Sequence, residues 1–315
     1  MKQEATKYLQ EYIDRMQAKG ITPTMEDLNQ KMGEFFRTQN NTPRTDFEGY
    51  SSLEMHKILH FTFNADSPIC FNPLSWHEYS QVPILRQVKR LAEIISQNGQ
   101  IKLTTAGYLP IKIVQELYPL GAPDEMIENA ISKLGKEMDC TPVHLARLLA
   151  EASGIIKKRK GILSLTATGT KTIADDSKLF DSIFKGFCQK FNWHYFDNYS
   201  DDVQSGTIGQ LGFGFSLILL SKYGNTERSE RYYAEKYFKA FPMLLETVQP
   251  TYGTVLDYCF NCYCLRTFER FLYHFGLVEI KKGKRILQEE TYIQKTLLFD
   301  RLISLMPHRE FEMKY

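Results

Sequence analysis

The chain has little of what usually declares a chemistry. Six cysteines in 315 residues are too few and too scattered for a disulfide framework, and reduced thiols suit a cytosolic protein. A net charge of only +2 means that the molecule is not a polyelectrolyte binder, so any affinity for nucleic acid must come from local patches. No apolar run approaches the roughly 18–20 residues that span a bilayer. The longest, Leu211 to Leu220, is broken by Gly212, Gly214 and Ser216. No membrane partner is therefore expected. The start, Met1-Lys2-Gln3-Glu4, lacks the apolar core of a signal peptide, and a cytoplasmic location is the default expectation.

Catalytic and metal-binding motifs are missing as well. The series Gly206, Gly209, Gly212, Gly214 lacks the Lys-Ser/Thr of a phosphate-binding loop, and no strand precedes it. Its spacing predicts a close approach of two helices. Cys259, Cys262 and Cys264 offer soft ligands without a second pair to complete a zinc site. Interleaved with Tyr258, Phe260 and Tyr263, they read as small apolar residues of a buried helix. His56 and His60 lie four apart without a third ligand. No Ser-His-Asp or Cys-His arrangement stands out. Neither a cofactor nor a metal is expected, and the chain reads as a non-enzyme.

What is present is a repeated phrase: helix, glycine stop, strand, turn, strand. In the middle copy a helix bearing Leu145, Leu148 and Leu149 runs into Ser153-Gly154. Ile155-Ile156 follows, then the basic run Lys157-Lys158-Arg159-Lys160, Gly161, and a second strand from Ile162 to Thr166. An earlier stretch has Val88 to Ile95, Asn98-Gly99 and Ile101 to Thr105. A late one has Phe268 to Phe275, Gly276, Leu277 to Ile280, then Lys281-Lys282-Gly283-Lys284-Arg285. This is the outline of a winged helix, in which a third helix enters the major groove and a wing tip meets phosphates.

Helical spacing predicts helices over residues 1–20, 24–36, 83–96, 123–138, 141–153, 179–192, 204–222, 227–241, 254–275 and 292–305. Thr141-Pro142 reads as a capped helix start, and Asn225 or Thr226 as the cap of the helix at 227. Residues 38–45 read as a loop. The aromatic stretches around Trp193, Tyr232 and Tyr237 read as core, because their spacing gives one apolar face.

Two blocks carry a resemblance. One is Phe47-Glu48-Gly49-Tyr50-Ser51, followed by Met55-His56 and Leu59. The other is Lys102-Leu103-Thr104 to Gly107, then Leu109-Pro110 and Val114. Together with Gly154 to Gly169 they resemble a group of uncharacterised bacterial proteins with tandem winged-helix-like segments, over about residues 45–180. The resemblance implies kinship and brings no catalytic residues.

The fold expected is mainly α with small β-hairpins, with tandem winged-helix-like units inside a multi-helical protein. Residues 1–82 form an N-terminal helical region, 83–178 two winged-helix-like units, and 179–315 a helical region ending in a third. The expected function is non-enzymatic binding of double-stranded DNA. Lys157, Lys158, Arg159, Lys160, Lys281, Lys282, Lys284 and Arg285 are the expected phosphate contacts. Arg86, Lys89, Arg90, His144 and Arg147 are the expected groove-facing set. The alternative is an interaction module whose winged units pack on a protein partner, without nucleic acid. Only three long polar side chains on the helix at 143–153 count against base readout.

Overall fold

The computed structural model describes residues 2–197, 199, 207–246, 248–250, 252–284 and 289–308. Arg285 and Gly206 lie outside these residues, as does the Lys284 side chain. The chain is mainly helical with small antiparallel sheets, and it divides into two compact units.

The first unit joins residues 1–69 to the segment from 305 onward. Helix α1 (Lys2–Gln17) packs on α2 (Met25–Asn41), with the Tyr8 and Phe35 rings 5.1 Å apart. Thr24 caps α2 in a reciprocal box with Asp27, and Ser51 caps α3 (Ser52–His60) in the same way with Glu54. Helix α2 runs five residues past the expected Phe36. Its polar end turns back on itself: Thr38 and Asn41 donate to the carbonyls of Glu34 and Arg37, so the polar stretch extends the helix instead of leaving it.

The second unit spans Cys70–Ser304. After strand β1 (Ile69–Phe71) and the single turn α4 (Trp76–Tyr79) comes α5 (Pro83–Asn98). Helix α5 hides Ile84, Val88, Leu91 and Ile95, each at most 1% exposed. Burial of one such side chain contributes about 1.5–3 kcal/mol. Strand β2 (Ile101–Lys102), α6 (Ile111–Leu117), the single turn α7 (Glu125–Glu128), α8 (Thr141–Ala152) and a hairpin follow. The hairpin is β3 (Ile156–Arg159) with β4 (Ile162–Leu165), and the sheet order is β2-β4-β3. The early and middle copies of the phrase thus supply strands to one sheet, where Ile101 stands opposite Leu163.

A helix over 123–138 does not form. Ala130 adopts a left-handed φ of 55°, and Met126, Ile131 and Met138 stay at least half exposed, so no apolar face is buried to sustain the turns. Thr141 is the first residue inside α8 rather than its cap, a position held by Cys140.

After α9 (Ala167–Thr172) and α10 (Asp176–Gln189) the same order returns. It comprises α11 (Phe213–Tyr223), β5 (Arg228–Ser229), α12 (Glu230–Ala240), the single turn α13 (Met243–Glu246), α14 (Val255–Cys264), and strands β6 (Val278–Lys284) and β7 (Glu289–Lys295). The sheet order is β5-β7-β6, again first, third, second. Helix α14 continues as an eight-residue π-helix, Leu265–Leu272, in place of the uniform helix expected. Strand β5 occupies the residues expected to open α12, so Ser229 rather than Asn225 or Thr226 precedes that helix. Tyr292 to Lys295 belong to β7 rather than to a final helix, because Ile293 pairs with Ile280 and is fully buried. The last elements are α15 (Leu297–Leu302) and β8 (Ile303–Leu305).

Helix α10 fills the space between the two arrangements. On one side it meets α8 so closely that a Cβ on Gly186 would lie 2.2 Å from Ser153 Oγ. On the other, Phe187 stacks on Phe271 at 4.9 Å and Phe184 meets Phe275 edge-on at 5.1 Å. Cys259, Cys262 and Cys264 are buried among aromatics, in a helix as expected. The glycine series does not bring two helices together as expected: Gly209 lies in a turn, where a Cβ would come within 3.2 Å of Thr267 Oγ1 on the π-helix. Gly209 and Gly212 take left-handed φ of 82° and 72° in the turn before α11, and among the described glycines of the series only Gly214 is helical.

Candidate nucleic-acid interface

The first basic run lies on a tight hairpin closed by two residues. Four cross-strand pairs run from Ile156↔Leu165 to Arg159↔Ile162, and Lys160-Gly161 makes the turn with φ of 50° and 73°. Positive φ at both positions matches the right-handed twist of the strands and normally selects Asn-Gly. A lysine there is mildly strained, of order 1 kcal/mol. Lys157, Lys158, Arg159 and Lys160 are all exposed. Lys158 donates to the Gly107 carbonyl at 3.4 Å, and none of the four has a carboxylate partner among the described residues. Alternation along β3 sends Lys157 and Arg159 to one face and Lys158 to the other.

In the second basic run the two lysines with described side chains are both paired. Lys281 is paired with Glu227 and Lys282 with Glu125, and the Glu227 carboxylate holds the Lys281 ammonium above its ordinary value.

Four of the five residues of the expected groove-facing set are also engaged. Lys89 meets Asp176 at 2.6 Å, and Arg90 is held by Glu116 and Glu93. Arg86 is half-buried, and its Nε is out of solvent without an acceptor. His144 and Arg147, each 3% exposed, point into the protein. Glu137, fully buried, accepts from His144 Nδ1, Arg147 Nε and the Leu109 N–H, each at 2.5 Å. An ionised carboxylate can only accept, so Nδ1 of His144 carries the proton. Burial works to raise the Glu137 pKa. The His144 bond, the Arg147 charge and the Leu109 N–H outweigh it and hold the carboxyl below its usual range. Arg147 also pairs with Glu151. His144 and Arg147 of α8 are thus buried and internally satisfied. The hint in the sequence was His144 and Arg147, three apart on an otherwise apolar helix.

His56 and His60 are exposed with rings 4.7 Å apart, and no group of three metal-suited side chains occurs among the described residues. No described helix is long and apolar enough to cross a membrane. Sequence reasoning missed Arg270 and His274, on and just past the π-helix, where no motif marks them.

Residues 80–178 match the model of the Y4jL N-terminal domain, a similarity that takes in α5 through α9 and under a third of the chain. No curated protein and no solved structure matches.

Proposed function

We propose that this chain is a non-enzymatic DNA-associated protein made of two winged-helix-like units, which touches duplex phosphates through the first wing and reads no bases. The units are α5-β2-α6-α8-β3-β4 and α11-β5-α12-α14-β6-β7, each with the helix–strand–helix–helix–strand–strand order of that fold. One observation carries the reading: four consecutive cations, Lys157 to Lys160, stand exposed on a fixed hairpin with no carboxylate to neutralise them. Base readout needs polar side chains free on a helix in the groove, and α8 has spent its own on Glu137. Contacts to phosphate alone position a protein without specifying sequence. Equal affinity for unrelated duplexes of one length tests this; a preference above about tenfold for one sequence means that sequence is read, and overturns it.

The second reading is a protein-interaction module. Two exposed apolar side chains favour it, Trp76 at 78% and Leu297 at 84% exposure, since large apolar side chains left in water often mark protein contacts. Absence of duplex binding at low salt would leave that reading in possession.

A further inference from the structure

A cleft of about 720 Å³ opens between the loop region 123–142 of the first arrangement and residues 269–282 of the second. Small-molecule sites occupy about 300–1,000 Å³. Its inner wall comes from the π-helix and the turn after it. Runs of π-helix are rare and concentrate at functional sites, because widening the turn re-aims side chains that an α-helix would place elsewhere.

Three groups on that wall are unsatisfied. Arg270 lines the cleft, its Nε is out of solvent, and it has no hydrogen bond or ion pair among the described residues. His274 also lines it, is 4% exposed, and its ring makes no hydrogen bond among them. Glu269, the neighbour of Arg270, has no partner of opposite charge there, and the carboxylate it feels is that of Glu230, of like sign. The other acids of the cleft are already engaged. Glu125 is taken by Lys282, Glu128 accepts from the Tyr118 hydroxyl at 2.5 Å, Asp124 accepts from the Met126 N–H at 3.1 Å, and Asp139 pairs with Lys136 at 3.6 Å. Burial first, and then Arg270, push the His274 imidazolium down to about 3, so the ring is a neutral donor and acceptor at physiological pH.

Half-buried charges and a buried ring without partners cost free energy, and they persist where a ligand completes them. One cation, one carboxylate and one neutral imidazole call for a ligand that carries both signs. We propose that this cleft binds a small zwitterion of the amino-acid class, its carboxylate on Arg270 and its ammonium on Glu269, with His274 bonding one end. A polyanion is unsuited, because Asp124, Glu125 and Glu128 add negative charge to the lining.

The test uses the full chain and NMR observation of the His274 ring. The probes are L-alanine, L-leucine, L-lysine and L-glutamate, with acetate, methylamine and inorganic phosphate as single-charge comparisons. At least one amino acid is expected to shift the ring signal saturably, with acetate and methylamine about tenfold weaker or more. Arg270→Gln and Glu269→Gln are each expected to weaken that binding about tenfold. Without ligand, both variants should melt no lower than wild type, since each removes an unpaired charge. Failure of every amino acid at millimolar concentration, or acetate or phosphate binding as well as the best of them, overturns the proposal. So does a fall in melting temperature in both variants with no loss of binding. Duplex DNA takes no part, so the outcome is separate from that of the wing.

Discussion

Thr166 and Thr296 hold the same place in the two halves of the larger unit. Each donates its hydroxyl to the carbonyl of the glycine that ended the third helix, Gly154 at 2.6 Å and Gly276 at 2.8 Å. Each then accepts the N–H three residues on, from Gly169 and Phe299, and so starts the next helix. Both glycines are left-handed, with φ of 73° and 70°, and each threonine N–H returns to the residue after the glycine at 3.1 Å. One side chain closes the hairpin and caps the helix behind it.

Thr166→Ala and Thr296→Ala are therefore each expected to lower stability by about 1–2 kcal/mol, the sum of a lost cap and a lost hydrogen bond. Urea unfolding measures both. A loss at one position and none at the other would contradict the matched role.

The two glycine stops and the first hairpin were legible in the sequence, and Lys157 to Gly161 reads as a turn unaided; the second hairpin was not, since the spacing over 292–305 predicts a helix where β7 runs. The grouping was harder to see. A helix–strand step occurs at both ends of each arrangement, so 83–105 and 143–166 look like two copies of one phrase although β2 joins the sheet of β4. An edge strand of two residues leaves almost no mark in a sequence. Charge pairing was hidden for a different reason: the partners of Lys282 and Lys281, Glu125 and Glu227, are 157 and 54 positions away. Nor does any local pattern announce that α10 covers α8.

Glu137→Gln is expected to cost about 1–3 kcal/mol at neutral pH, because Arg147 exchanges a buried carboxylate for a neutral acceptor and keeps only Glu151. The pH dependence follows from the lowered pKa of Glu137. Its stabilisation is present above the ordinary glutamate value of 4.5 and is lost as pH falls through the lower folded value. Denaturation of wild type and variant from pH 7 downward should show the gap narrowing only in that acid range.

Glu230 has the opposite sign. Burial, then the Glu269 carboxylate, raise its pKa to about 7. The folded protein holds this proton between 4.5 and 7, so Glu230 costs nothing below 4.5, penalises the fold increasingly as pH rises from 4.5 to 7, and carries its full penalty above 7. Glu230→Gln should raise stability at pH 8 by on the order of 1 kcal/mol, after allowance for partial solvent screening, and leave it unchanged near pH 4. Melting curves at the two pH values check the difference.

Thiol reactivity should separate Cys70 from the rest. Cys70 is half-buried, whereas the other five cysteines are buried. Burial pushes Cys259 up to about 11 and Cys140 and Cys262 up to about 12, with Cys188 and Cys264 raised well above the ordinary value. The thiolate is the reactive form. A disulfide reagent at pH 8 is expected to titrate one thiol in the native protein and six after unfolding. Rapid reaction of the Cys259–Cys264 group would contradict their place in the core.

The measurement closest to the central claim is affinity for a random-sequence duplex across a salt series, for wild type and for a variant with Lys157, Lys158, Arg159 and Lys160 all changed to Ala. Each neutralised phosphate contributes about −0.9 to the slope of log affinity against log salt. The account predicts a wild-type slope of about −3 to −4 and a variant slope near zero, with the fold of the variant intact because all four side chains are exposed. A steep slope that survives in the variant, or no binding by wild type at low salt, would contradict it.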